Sequence, residues 1–302
     1  QPVSASITNI PAHTRYEIVE RDYTDDGYTT RTPQNAFGII DVVNEAGREE
    51  AMTFTNTRES GTLALSKALK GNATDGEKEF TFRVKLENAQ FDTATQRDAY
   101  DVVIREANKA DVQTTVARDA NGEYVLTLKG GQTATLLDVL YGTTATVAED
   151  DYTAEGYEAV SGQTAAVNGQ TPDAAAAFTN ERYIGSIEIT KALAGTGSDK
   201  GYGKTFTFEV KLWNEHDLDL LNAQTSTMPS GVDDLTKTNE QRDGHDVYAG
   251  TVSITMGADG QPVSASITNI PAHTRYEIVE RDYTDDGYTT QTPQNASGLI
   301  DV

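Results

Sequence analysis

Apolar residues in this chain recur at every second position over short stretches. Leu63 and Leu65, Phe80 and Phe82, Val125 with Leu126 and Leu128, and Val147 sit in runs rich in Thr and β-branched residues, the pattern of strands with one buried face. Turn residues separate the runs at Asp119-Ala-Asn-Gly122, Gly130-Gly131, Asp259-Gly260 and Asn269-Ile-Pro271. Roughly seven strands per module at this spacing predict an antiparallel β-sandwich of Ig-like kind. Two stretches are less regular. Ala99 to Val112 places Tyr100, Val103, Ile104 and Ala107 at helical spacing, but its Val-Val-Ile centre favours extended backbone, so a strand is predicted. Residues 215–240 have no clear period and are expected to form a long loop or insertion.

The pattern also repeats on a larger scale. Residues 1–42 recur as 261–302 with three differences, Arg31 against Gln291, Phe37 against Ser297 and Ile39 against Leu299. More diverged copies lie between them. Gly61 to Gly71 matches Gly185 to Gly195, and Lys78 to Asn88 matches Lys204 to Asn214. Glu-x-Asp-Tyr-Thr-x-x-Gly-Tyr opens at Glu20, Glu149 and Glu280, and Phe-Thr-Asn closes at Asn56 and Asn180. The order is constant: a Lys strand, a Phe-Thr-Phe strand, a Glu strand, a Phe-Thr-Asn strand. Residues 59–182 contain all four and are read as a complete sandwich. Residues 1–58 hold the C-terminal part of one, and 183–302 hold one lacking its last strand. Near-identity of distant segments is what a lengthening array produces, so the expectation is a piece of a tandem, end-to-end array.

Charge narrows the partners. With 24 Lys and Arg against 47 Asp and Glu, the net charge is −23, which repels phosphate backbones and anionic headgroups. Neither nucleic acid nor a membrane surface is expected as a partner. Cysteine is absent, which excludes disulfides and thiolate metal sites. His13, His216, His245 and His273 form no paired-ligand spacing, so no metal and no other cofactor is predicted. The longest apolar run, Ala174 to Phe178, is too short to cross a bilayer, and no signal peptide opens the chain. A soluble interior piece, anchored from elsewhere, is expected.

Strand alternation singles out three polar positions per module, because residues two apart share a face. Lys67 shares the face of Leu63 and Leu65, and Lys191 that of Ile187 and Ile189. Glu149 follows Ala145 and Val147; Glu20 follows Tyr16 and Ile18; Glu280 follows Tyr276 and Ile278. Asn180 lies two beyond Phe178, and Asn56 two beyond Phe54. If the apolar face is the core face, each module aims one Lys, one Glu and one Asn inward. Buried charges are costly, so the three either satisfy one another or do chemistry. An ordinary rim ion pair with a turn asparagine is the competing reading. Lys70 is a control: its counterpart is Ala194, which marks it as a surface residue.

As an ordered set these motifs resemble the B-type domains of Gram-positive collagen-binding adhesins. More closely they resemble the streptococcal pilin isopeptide-linker type, which also carries Lys-x-Phe-Thr-Phe-x-Val and Leu-Lys-Gly-Gly-Gln, here at 78–84 and 128–132. In that family a Lys amine and an Asn carboxamide join spontaneously, assisted by a buried acidic residue. The resemblance implies that Lys67 joins Asn180 with Glu149 assisting. It implies that Lys191 and Glu280 await an Asn beyond residue 302, and that Glu20 and Asn56 serve a Lys before residue 1. Val139-Leu-Tyr-Gly142 stands where the family has Leu-Pro-x-Gly. The implied role is a structural stalk module of an extracellular, cell-wall-anchored adhesin or pilus-like fibre. Its only reaction would be one autocatalytic bond per module, and its partners neighbouring repeats and other copies, head to tail.

Two other functions stand beside it. An extracellular carbohydrate- or protein-binding module would use the irregular 215–240 region with Trp213 and His216, although Trp213 aligns with Glu87 at a strand end and is expected in the core. A glycosidase would use paired carboxylates such as Asp150 and Asp151, which acid-rich turns explain better. Asp119-Ala-Asn121-Gly122 matches too little of a calcium loop and is read as a hairpin turn.

Overall fold

The computed structural model describes residues 3–40, 50–91, 97–195, 201–222 and 228–301. Its regular structure is almost entirely β. The strands fall into three groups along the chain.

The first group is small: β1 (Arg15–Glu17), β2 (Thr29–Arg31), β3 (Phe37–Ile39) and β4 (Thr55–Thr57). They form two-stranded ladders, β1 with β3 and β2 with β4. Ile18, Phe37 and Ile39 are exposed, so the apolar face predicted for Tyr16, Ile18 and Glu20 has no closed core over it among the described residues.

The second group is a nine-stranded sandwich. Its strands are β5 (Ser60–Lys70), β6 (Phe80–Asn88), β7 (Ala99–Glu106), β8 (Val112–Ala117), β9 (Tyr124–Leu128), β10 (Gln132–Leu140), β11 (Thr143–Glu149), β12 (Gln163–Val167) and β13 (Asp173–Glu181). One sheet runs β13-β5-β10-β7-β8 and the other β12-β11-β6-β9. Leu63, Leu65, Phe80, Phe82, Val84, Leu136, Val147 and Phe178 meet in the core between them. The period-two faces read from the sequence are the faces that bury: in β5 only Leu63, Leu65 and Lys67 are fully enclosed. All neighbours are antiparallel except the first and last strands, β5 and β13, which lie parallel. Chain entry and exit therefore sit at opposite ends of the sandwich.

The third group comprises β14 (Ile184–Lys191), β15 (Thr205–Asn214), β16 (Asp233–Arg242), β17 (His245–Thr255), β18 (Val263–Pro271), β19 (Thr274–Glu280) and β20 (Ser297–Ile300). Its sheets are β14-β18 and β16-β17-β15-β19-β20, packed around Phe206, Val210, Leu212, Ile254 and Ile267.

The strand expected over Ala99 to Val112 is present as β7; it ends at Glu106, and a turn at Asn108 in the left-handed region (φ 61°) leads to β8 at Val112. Two local expectations change. Part of 215–240 is strand: β16 is a mostly exposed edge strand whose pairing with β17 slips twice, which erases any apolar period. Asn269-Ile-Pro271 closes β18 instead of turning. Asn269 (φ 59°) bulges out of the ladder with β14, and the reversal follows at Ala272 and His273.

Candidate functional site

Each predicted residue of the second group arrives from a different strand. Lys67 is the last fully buried residue on the inward face of β5; Leu69, the next on that face, is half-buried against the core. In the parallel register Phe178 of β13 lies opposite Lys67, and Asn180 opposite Leu69, so the carboxamide stands one same-face step along from the amine. Glu149 ends β11 in the facing sheet, opposite Phe82. Phe82 and Phe178 pack edge to face at 5.1 Å and close the space between the sheets.

The three polar groups meet. Lys67 Nζ donates to Glu149 Oε1 at 2.7 Å, and Asn180 Nδ2 donates to the same oxygen at 3.1 Å. The Lys67 and Glu149 side chains are 0% and 1% exposed, and Asn180 is 1% exposed. The ammonium also lies 3.9 Å from the centre of the Phe80 ring, whose negative face stabilises a cation. Burial nevertheless dominates. It pushes the Lys67 amine below its ordinary range and the Glu149 carboxyl above its own, outweighing their mutual attraction. Two atoms have no hydrogen-bond partner: Asn180 Oδ1 and Glu149 Oε2.

The other two groups hold parts of the same constellation. Lys191 Nζ lies 2.6 Å from Glu280 Oε1, with side chains 13% and 4% exposed. Thr290 donates to the other Glu280 oxygen at 2.8 Å. In the first group Asn56 Nδ2 donates to Glu20 Oε1 at 2.9 Å, and Thr30 donates to Asn56 Oδ1 at 2.8 Å. Asn56 is exposed there. Lys70 behaves as the surface control, pairing with Glu181 at 3.1 Å in the open. Alternation did not point to Thr30, Thr290 or the Phe80 ring, because hydroxyl and aromatic residues occur throughout these strands and only the packing selects them.

The competing candidates find structural roles. Trp213 is buried, with the Arg242 guanidinium 5.1 Å from its ring. Asp150 pairs with Arg83, and Asp151 accepts the Thr153 N–H in a turn. Asp119 accepts the N–H groups of Asn121 and Glu123, which ties its hairpin.

A family profile described as "Domain of unknown function (DUF7601)" matches residues 3–58, 61–182 and 185–302. The chain belongs to the DUF7601 family. Each DUF7601 match coincides with one strand group. A curated pilin of Streptococcus pyogenes serotype M1 is 32% identical over 114 residues, covering 37% of this chain and 32% of the pilin. The similarity to streptococcal pilins implied by the motifs is thus borne out, although the chain spans only about a third of that relative's length. Among solved structures, the S. pyogenes major pilin superposes with a TM-score of 0.36 at 22% identity, covering 59% of this chain and 66% of that one. A pilus-presented adhesin, Spy0125 (Cpa), gives 0.30 at 27% identity, covering 41% and 28%.

Proposed function

We propose that this chain is a load-bearing stalk segment of an extracellular, cell-wall-linked pilus-like fibre or adhesin, in which Lys67 and Asn180 become joined by an amide. The observation that carries the reading is the convergence of Lys67, Glu149 and Asn180 in a water-excluded core, with burial biasing amine and carboxyl toward their neutral forms. A proton passing from Lys67 Nζ to Glu149 leaves a neutral nucleophile and a carboxylic acid. The amine attacks Asn180 Cγ while the acid stabilises the oxygen that gains charge. Glu149 then moves the amine's surplus proton to the departing nitrogen. The Nζ–Cγ bond forms, the Cγ–Nδ2 bond breaks, and one ammonia leaves. The unpartnered Asn180 Oδ1 and Glu149 Oε2 fit this sequence, since a proton on the carboxyl supplies a donor where both atoms now lack one.

The bond forms once and consumes its own residues, so the module turns over no external substrate. Intact mass tests it directly. The folded chain should weigh one ammonia less than its sequence, and Lys67→Ala, Asn180→Ala or Glu149→Ala should each restore the full mass and lower the melting temperature. A folded wild-type chain at full mass overturns the proposal.

A further inference from the structure

Between the second and third strand groups the fold assembles a cluster whose members are far apart in sequence. Glu158, His216 and His273 place one ligand-capable atom each within 4.8 Å of one another. His273 Nε2 and Glu158 Oε1 are 3.0 Å apart, and the His216 ring stacks on that of His273 at 4.2 Å and 23°. We propose that these three residues form a site for a divalent transition-metal ion of the zinc or copper class, and that the ion clips the two strand groups together.

Backbone on both sides is fixed before any ion arrives. The Glu158 N–H donates to Glu181 O at 2.9 Å, at the end of the strand that carries Asn180. Opposite it, the buried Asn214 holds both histidine-bearing turns. Its Nδ2 donates to Ala272 O and Thr274 Oγ1, each at 2.9 Å, and its Oδ1 accepts the His216 N–H at 2.9 Å. The His273 N–H donates to Ile300 O, and His273 O accepts the Glu215 N–H, both at 2.8 Å.

The fold does not itself demand imidazoles here. Asn88 is the same hub in the second group, bonding Tyr141 O, Thr143 Oγ1 and the Gln90 N–H, and the matching positions there are Gln90 and Gly142. Two imidazole nitrogens and one carboxylate oxygen, with water in the fourth place, are a donor set for tetrahedral Zn2+ and also suit Cu2+. Bonds of about 2.0–2.1 Å set tetrahedral ligand atoms about 3.4 Å apart, so closing the cluster takes a movement on the order of an ångström. The exposed His216 ring has room to make it. The chain's charge of −23 concentrates cations around it, and Mg2+ or Ca2+, which favour all-oxygen shells, are poorly matched to this set.

The test uses the untagged 302-residue chain in excess Mg2+, which occupies diffuse acidic sites. Calorimetric titration with Zn2+ should show one equivalent bound. Glu158→Gln, His216→Ala and His273→Asn should each weaken it by at least about tenfold, the range seen when metal-site partners are removed; asparagine suits the left-handed backbone of His273 (φ 61°). With Cu2+, the electron paramagnetic resonance spectrum should show coupling to two nitrogens, falling to one in His216→Ala. Zn2+ should narrow the end-to-end distance distribution seen by X-ray scattering. Binding no stronger than the Mg2+-competed background, binding or coupling unchanged by the variants, or an unchanged distance distribution would each overturn the proposal.

Discussion

Lys67 and Glu149 are displaced by burial in opposite directions, and the consequence for stability follows from linkage. Glu149 is held above its ordinary 4.5, so its favourable contribution exists in acid and is lost as pH rises through the folded value. Lys67 is held below its ordinary 10.5, so its contribution exists in strong alkali and is lost as pH falls through the folded value. Between those two ordinary values the two contributions fall away from opposite sides, so a bare Lys67–Glu149 pair is least favourable inside that interval. In an uncrosslinked Asn180→Ala background, replacing the pair by Lys67→Met and Glu149→Gln should therefore stabilise the sandwich most at a pH inside that interval, and less toward its acid and alkaline ends. Urea melts of the two variants across pH measure the difference; a gap that widens toward either end contradicts the assignment. Surface pairs such as Lys70–Glu181 are solvated and should show no such dependence.

At the scale of elements, the parallel contact of β5 with β13 makes the site, and its tightest point is Gly61. A Cβ there would lie 1.9 Å from Pro172 O, which already accepts the Thr62 N–H at 2.7 Å. The matching Gly185 meets a side chain instead, with Ile300 Cγ2 2.7 Å from where its Cβ would be, and Ile300 belongs to the third group's core. Gly61→Ala should cost roughly 1–3 kcal/mol by overpacking against backbone, and Gly185→Ala, where a core side chain and not backbone must shift, should cost less. Denaturant melts of the two variants decide it. Gly61→Ala should also slow amide formation, visible as residual full-mass chain, because it wedges the strand carrying Asn180 away from the one carrying Lys67.

For the whole molecule, opposite entry and exit mean that tension runs along β5 and leaves through β13. A Lys67–Asn180 amide would shunt that load and keep residues 68–179 out of the path. Closing so long a loop is worth on the order of 4–5 kcal/mol in the chain-entropy model. In single-molecule pulling, Lys67→Ala should add an extension of up to about 3.3–3.6 Å per residue over 68–179 that the wild type lacks. The outer groups bear on assembly. Lys191 with Glu280, and Asn56 with Glu20, are complementary parts of one triad. Concentrated chains are therefore expected to add the Asn56 strand of one copy to the third group of the next. This should give a detergent-resistant ladder that Asn56→Ala abolishes; a chain that stays monomeric shows that the two parts do not meet.

Local rules carried much of this protein. Period-two alternation is set by the pleat of each strand, so the buried faces of β5, β11 and β13, and the polar residue ending each, could be read residue by residue. The repeats exposed the order of the motifs for the same reason: each copy keeps its own local pattern. Chain closure was different. The parallel pairing of β5 with β13 joins residues more than a hundred positions apart in sequence, and no periodicity encodes which strand lies beside which. The edge strand β16 escaped because a strand with one exposed side and a slipping register needs no apolar rhythm. Glu158, His216 and His273 escaped because they meet only where two strand groups abut, Glu158 held by a backbone bond to Glu181 and the two histidine turns by the Asn214 hub. Composition and spacing settle what a strand buries; the packing of distant strands decides which buried groups touch.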